Sequence, residues 1–212
     1  MAITIGNKSN SGAKGSVTNY TWNHTCNADT SVLVILPHYR SDSGSKVVNA
    51  LTYDSVAATS AGERFGTYIG TELWYLANPA VGSELVVSVT HPGAPNFTGA
   101  TAVDLIGTAT TSPLDIVVED SGTGSATYTL DFSARATDSM VVGGSAIDDN
   151  AAGNIDLAIG TLLYEWSFSK IANDGYNLGD IEWDVIGHPF AAVAASFKIA
   201  PSESGFLLNM MR

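Results

Sequence analysis

One cysteine, Cys26, in 212 residues cannot close an internal disulfide. Basic residues are also scarce, with nine Lys and Arg against 21 Asp and Glu. Nucleic acids and anionic membrane surfaces are bound through clustered positive charge, so the composition argues against both as partners. The longest apolar runs, Val32–Leu36 and Phe190–Ala195, are too short to cross a bilayer. The first residues, Met-Ala-Ile-Thr-Ile-Gly-Asn, carry neither a basic n-region nor a long apolar h-region, so no export signal is visible and a cytoplasmic origin is expected. Charged residues make up only 14% of the chain, against roughly 25% in soluble domains, and Ser, Thr, Asn and Gly supply the polar surface instead.

Catalytic signatures are missing too. There is no Gly-x-Ser-x-Gly elbow, no phosphate-cradling loop and no His-x-His, His-x-x-x-His or Cys-x-x-Cys spacing. The four histidines, His24, His38, His91 and His188, are therefore expected at turns or on the surface, and Cys26 as a small core residue. Glu165, Glu182 and Asp184 lie near Trp166 and Trp183 and could serve a carboxylate-driven glycosidase. Strand alternation sends each acid and its neighbouring Trp to opposite faces, which favours core tryptophans and solvated acids.

What is present is period-two alternation from end to end. In Tyr128-Thr-Leu-Asp-Phe-Ser-Ala, the residues Tyr128, Leu130, Phe132 and Ala134 share one face. About a dozen such segments, separated by Gly, Pro, Asn, Asp and Ser, predict an all-β chain, an antiparallel jelly-roll-like β-sandwich. Residues 1–200 read as one domain and 201–212 as a C-terminal extension. Ala57–Glu63 is expected to hold a helical turn at most, and Asp148–Ile159 a loop. Ala28-Asp-Thr-Ser-Val-Leu-Val echoes Ala136-Thr-Asp-Ser-Met-Val-Val, as two equivalent strands of facing sheets would.

Three features stand outside that pattern. Residues 1–100 carry five basic against six acidic side chains, whereas residues 101–212 carry four against fifteen. Asp148, Asp149 and Asp156, with Asn150 and Asn154, gather hard oxygen donors of the kind Ca2+ takes, although no EF-hand glutamate closes the loop. Apart from that Ca2+ no cofactor is indicated. The tail after Pro201 holds Phe206, Leu207, Leu208, Met210 and Met211, apolar residues that either fold back on their own subunit or dock on a neighbour.

Four segments, Asn49-Ala-Leu-Thr-Tyr-Asp-Ser-Val, Glu72-Leu-Trp-Tyr-Leu-Ala-Asn-Pro, Gly82-Ser-Glu-Leu-Val-Val-Ser-Val and Ala191-Ala-Val-Ala-Ala-Ser-Phe-Lys, together resemble a β-sandwich module of tailed-phage virion structural proteins. The resemblance spans residues 28–199 and implies a head-decoration, fibre or tail-associated role. It also implies manufacture in a bacterial host, residence in the virion, and a homo-oligomer bound to a major capsid protein or other virion proteins. No site residue is carried by it. The alternative is a carbohydrate-binding or receptor-binding module for cell-surface glycans, with Trp22, Tyr68 and Tyr176 as candidate rings.

Overall fold

The computed structural model describes residues 2–124, 126–148, 155–159, 161–166, 169–173, 181–185 and 187–201. Every regular element among them is a β-strand and every pairing is antiparallel.

The first nine strands are β1 (Thr4–Asn10), β2 (Asn19–Thr25), β3 (Thr30–Arg40), β4 (Ala50–Tyr53), β5 (Val56–Ala57), β6 (Thr59–Phe65), β7 (Ile69–Ala77), β8 (Glu84–Thr90) and β9 (Phe97–Ile106). They form a five-stranded sheet in the order β1-β9-β3-β7-β6 and a four-stranded sheet β2-β8-β4-β5. Asp54 and Ser55, both at positive φ (50° and 66°), make the two-residue hairpin joining β4 to β5, a backbone that matches strand twist.

The remaining strands are β10 (Leu114–Gly122), β11 (Ala126–Leu130), β12 (Met140–Ile147), β13 (Ile155–Ile159), β14 (Thr161–Trp166), β15 (Ser169–Asn173), β16 (Ile181–Val185) and β17 (Phe190–Phe197). Their sheets run β10-β17-β12-β15-β14 and β11-β16-β13. This is the first half's order again, with β10 standing for β1, β12 for β3 and β17 for β9. Even the irregularities repeat: β1–β9 slips between Ile5 and Lys8, and β10–β17 between Leu114 and Val117. The echoing segments accordingly start β3 and β12, the third strands of the two five-stranded sheets.

The five-stranded sheets face each other, so the sheets stack as four layers with three apolar seams. Leu33, Ile35, Val87 and Val89 fill the seam inside the first half. Val32, Val34, Leu36 and Val103 meet Met140, Val142, Val193 and Ala195 in the middle. Phe132, Val141, Trp183, Phe190 and Ala194 fill the seam inside the second half. Successive residues of β3 and β17 thus serve two different seams, which is why both strands are almost wholly buried.

Three expectations change. Ala57–Glu63 holds no helical turn, since β6 runs through it. Ile155–Ile159, expected as loop, is a strand, and its Ile-Asp-Leu-Ala-Ile alternation pairs with β16. Asp131–Arg135 leaves strand geometry after Leu130, although Phe132 still inserts into the core.

Candidate functional site

His24, His38 and His91 are not surface groups, at 2%, 0% and 2% exposed, while His188 is half-buried; His91 and His188 do sit just outside strands, after β8 and before β17. Each buried ring is enclosed because it answers a polar group that the strands carry inside. His24 Nε2 lies 2.8 Å from Asp104 Oδ1, and its Nδ1 lies 2.8 Å from Ser9 Oγ, which also accepts Trp22 Nε1–H at 3.0 Å. Asp104 Oδ2 accepts Asn27 N–H (2.9 Å), Thr30 Oγ–H (3.0 Å) and Asn7 N–H (3.2 Å). Burial alone would raise the Asp104 carboxyl, but the bonds from His24, Asn27 and Thr30 outweigh it and hold it below the usual carboxylate range. An ionised carboxylate only accepts, so Nε2 carries the proton in this pair.

Cys26 completes a group whose imidazole, thiol and carboxylate donor atoms all lie within 4.8 Å of one another. These are metal-type donors. Here they are already spent: the carboxylate accepts four protein donors, and burial pushes the Cys26 thiol up to about 12. The group acts as a closed clamp joining β1, β2, the turn before β3 and β9. Sequence spacing gave no sign of it, because Asp104 arrives through the β9–β3 register.

Further along β3 the same device shapes a loop. Glu72, fully buried, accepts Val48 N–H at 2.7 Å and Trp74 Nε1–H at 2.8 Å, and burial pushes its carboxyl up to about 8. His91 Nδ1–H donates to Lys46 O at 2.6 Å, and Tyr39 Oη and Ser45 Oγ are 3.1 Å apart. Residues 45–48 are therefore tied to the sheets, and the 41–44 turn projects beyond them. There Arg40, the last residue of β3, bridges two acids. Its Nη2 is 3.1 Å from Asp42 Oδ1 and its Nε–H donates to Asp148. Asn96 and Asp42 are doubly joined, Asp42 N–H to Oδ1 at 2.9 Å and Nδ2–H to Asp42 Oδ2 at 3.1 Å. Phe97 beside them is 42% exposed, and Ser41 N–H donates to Tyr68 O at 2.7 Å, bringing the 41% exposed Tyr68 to the same end.

Of the residues predicted for Ca2+, Asp148 faces Arg40 and donates its N–H to Pro189 O at 2.9 Å. Asp149 lies outside the described residues, and Asp156 takes the register position opposite Asp184. The tail residues Phe206, Leu207, Leu208, Met210 and Met211 also lie outside the described residues, as does Tyr176. Glu165 and Glu182 sit in different sheets, on β14 and β16, while Asp184 accepts a hydrogen bond from Thr127. Trp183 is core and Trp22 half-buried.

At the opposite end of the strands, where the described chain stops at Pro201, lies an open, mostly apolar cavity of about 660 Å³. Ile106, Gly107, Ala109 and Ala200 line it, and Ala200 N–H donates to Gly107 O at 2.8 Å.

No protein-family model, curated protein or solved structure matches this chain.

Proposed function

We propose that the protein is a non-enzymatic structural component of a virion, of the capsid-decoration or head-fibre type, made in a bacterial host and acting by protein–protein contact. The observation that carries this reading is the cavity at the chain's exit. An apolar recess lies where Ala200 and Pro201 lead into a tail with Phe206, Leu207, Leu208, Met210 and Met211. A neighbour's tail seated in such a recess buries apolar surface on both partners, at roughly 25 cal/mol per Å², and links copies into an oligomer.

The doubled strand order supports the same reading. In each half one five-stranded sheet packs on a smaller one, and the run 56–65 begins in one sheet as β5 and ends in the other as β6. We read each half as a jelly-roll variant, an architecture found in capsid proteins. The two halves share their middle seam and form a stiff block suited to spacing and covering.

Deleting residues 202–212 tests the role of the tail. Sedimentation of the full chain, alone and mixed with virion shells, is expected to show self-association or shell binding that the truncated chain loses. Equal association of both chains would overturn it.

A further inference from the structure

We infer that the loop end opposite Pro201 holds a binding site for a neutral saccharide, built from Asp42, Asn96 and Phe97. These residues border an open pocket of about 400 Å³ together with Ser16, Ser43 and Ala94. Polar Ser16, Asp42, Ser43 and Asn96 share its lining with apolar Ala94 and Phe97, which suits a pyranose, a ring with hydroxyls round its edge and C–H groups on its faces.

The polar side is fixed in advance. Arg40 Nη2 holds Asp42 Oδ1 at 3.1 Å, Asn96 Nδ2–H holds Oδ2 at 3.1 Å, and Asn96 N–H donates to Arg40 O at 2.8 Å. The Asp42 side chain is nevertheless 51% exposed, so its carboxylate keeps acceptor positions for hydroxyl donors. The second amide proton of Asn96 remains for a hydroxyl oxygen. Acceptor and donor side by side are what two adjacent sugar hydroxyls require, and bonds to a charged acceptor are the stronger kind.

The apolar side is Phe97. A phenylalanine 42% exposed at the first residue of a strand adds little to a core, and it offers a ring face to sugar C–H groups. The second half shows that the strand order does not demand it. Arg40 is paired with Phe97 in β3–β9, and at the same station Asp148 is hydrogen-bonded to Pro189. Charge chooses the class of sugar. The chain has a net charge of −12 and the pocket presents a carboxylate, so sialylated and sulfated glycans are repelled and neutral hexoses are favoured. Tyr68, beside the same arginine, offers a second ring for an adjoining sugar unit.

Saturation-transfer NMR of the full-length protein with the methyl glycosides of galactose, glucose, mannose and N-acetylglucosamine tests this directly. We expect saturable binding of at least one of them with Kd about 1 mM. Phe97→Ala and Asp42→Asn should each weaken it about tenfold or more. Val86→Ala, which trims an exposed apolar side chain on β8, should leave it unchanged. An unaltered thermal transition in Asp42→Asn would separate lost binding from lost folding. Absence of saturable binding to every glycoside, or equal binding by the wild type and Phe97→Ala, would overturn the site. Neither result depends on the tail.

Discussion

Leu105 and Phe197 stand at the same station of the two halves, facing Val32 on β3 and Met140 on β12. One residue earlier the halves part. Asp104 faces Leu33, and Ser196 faces Val141. Both side chains do one job alike, accepting the amide of the residue in the edge-strand slip, Asn7 N–H at 3.2 Å and Ile116 N–H at 3.1 Å. Only Asp104 goes on to bind His24, and the echo in sequence places the buried Phe132 where the first half has His24. Both halves place a short acceptor here, backed in the first by an imidazole and in the second by an apolar ring. Among the described residues the buried carboxylates, Glu72 and Asp104, both belong to the first half.

The largest effect we expect comes from breaking that pair. Asp104→Ala strands four donors in the interior and should cost about 3–5 kcal/mol in urea unfolding. Importing the second half's solution, His24→Phe with Asp104→Ser, should cost clearly less than the single change. A double variant as damaged as Asp104→Ala would show that the two stations are not interchangeable. Next comes Gly143→Ala on β12, where a Cβ would lie 2.3 Å from Ala194 Cβ and 2.8 Å from Val193 O. Crowding there should cost about 1–3 kcal/mol, whereas the first half accommodates Ile35 opposite Ala102 on its third strand.

A pH series sharpens the contrast in buried charge. The folded Glu72 carboxyl, at about 8, lies above its ordinary 4.5, so the folded state binds the extra proton between those values. Its contribution is complete below pH 4.5 and is lost as pH rises through 8. Burial lowers His38 from 6.5 to about 3, so the unfolded state binds more protons there and stability falls as pH drops from 6.5 towards 3. The two slopes oppose each other between pH 4.5 and 6.5. Above that range Glu72 acts without His38, and Glu72→Gln should flatten the decline in Tm between pH 6.5 and 9. An unchanged slope would remove Glu72 as its source. The smallest effect is expected of Arg40→Ala. This half-exposed bridge to Asp42 and Asp148 should be worth about 0.2–1 kcal/mol and weaken further in high salt.

Much of this architecture is written in the alternation. The apolar run 32–36 reads as a strand covered on both faces, and β3 is one. The end of β7 before Asn78-Pro79 follows from turn chemistry. Other elements were hidden for physical reasons. No Gly or Pro separates β14 from β15 in the sequence, yet the two pair antiparallel. The repeat shows in only one seven-residue echo, since a shared register constrains which face a residue occupies and leaves its identity free. The buried histidines and carboxylates were illegible for a related reason. His24 and Asp104 are 80 positions apart, and only cross-strand pairing makes them neighbours. The pocket at Asp42, Asn96 and Phe97 likewise joins two loops through the pairing of Arg40 with Phe97.

The position of β17 carries a consequence for synthesis. In each half the strand made last is placed inside its sheet, β9 between β1 and β3 and β17 between β10 and β12. A ribosome emitting about 5–20 residues per second releases a first half that can close once Ile106 is out. The second half waits for Phe197 with its sheet split down the middle. Until then the middle-seam faces of β3 and β12 have no finished partner, and the nascent chain is most open to wrong pairing just before β17 emerges.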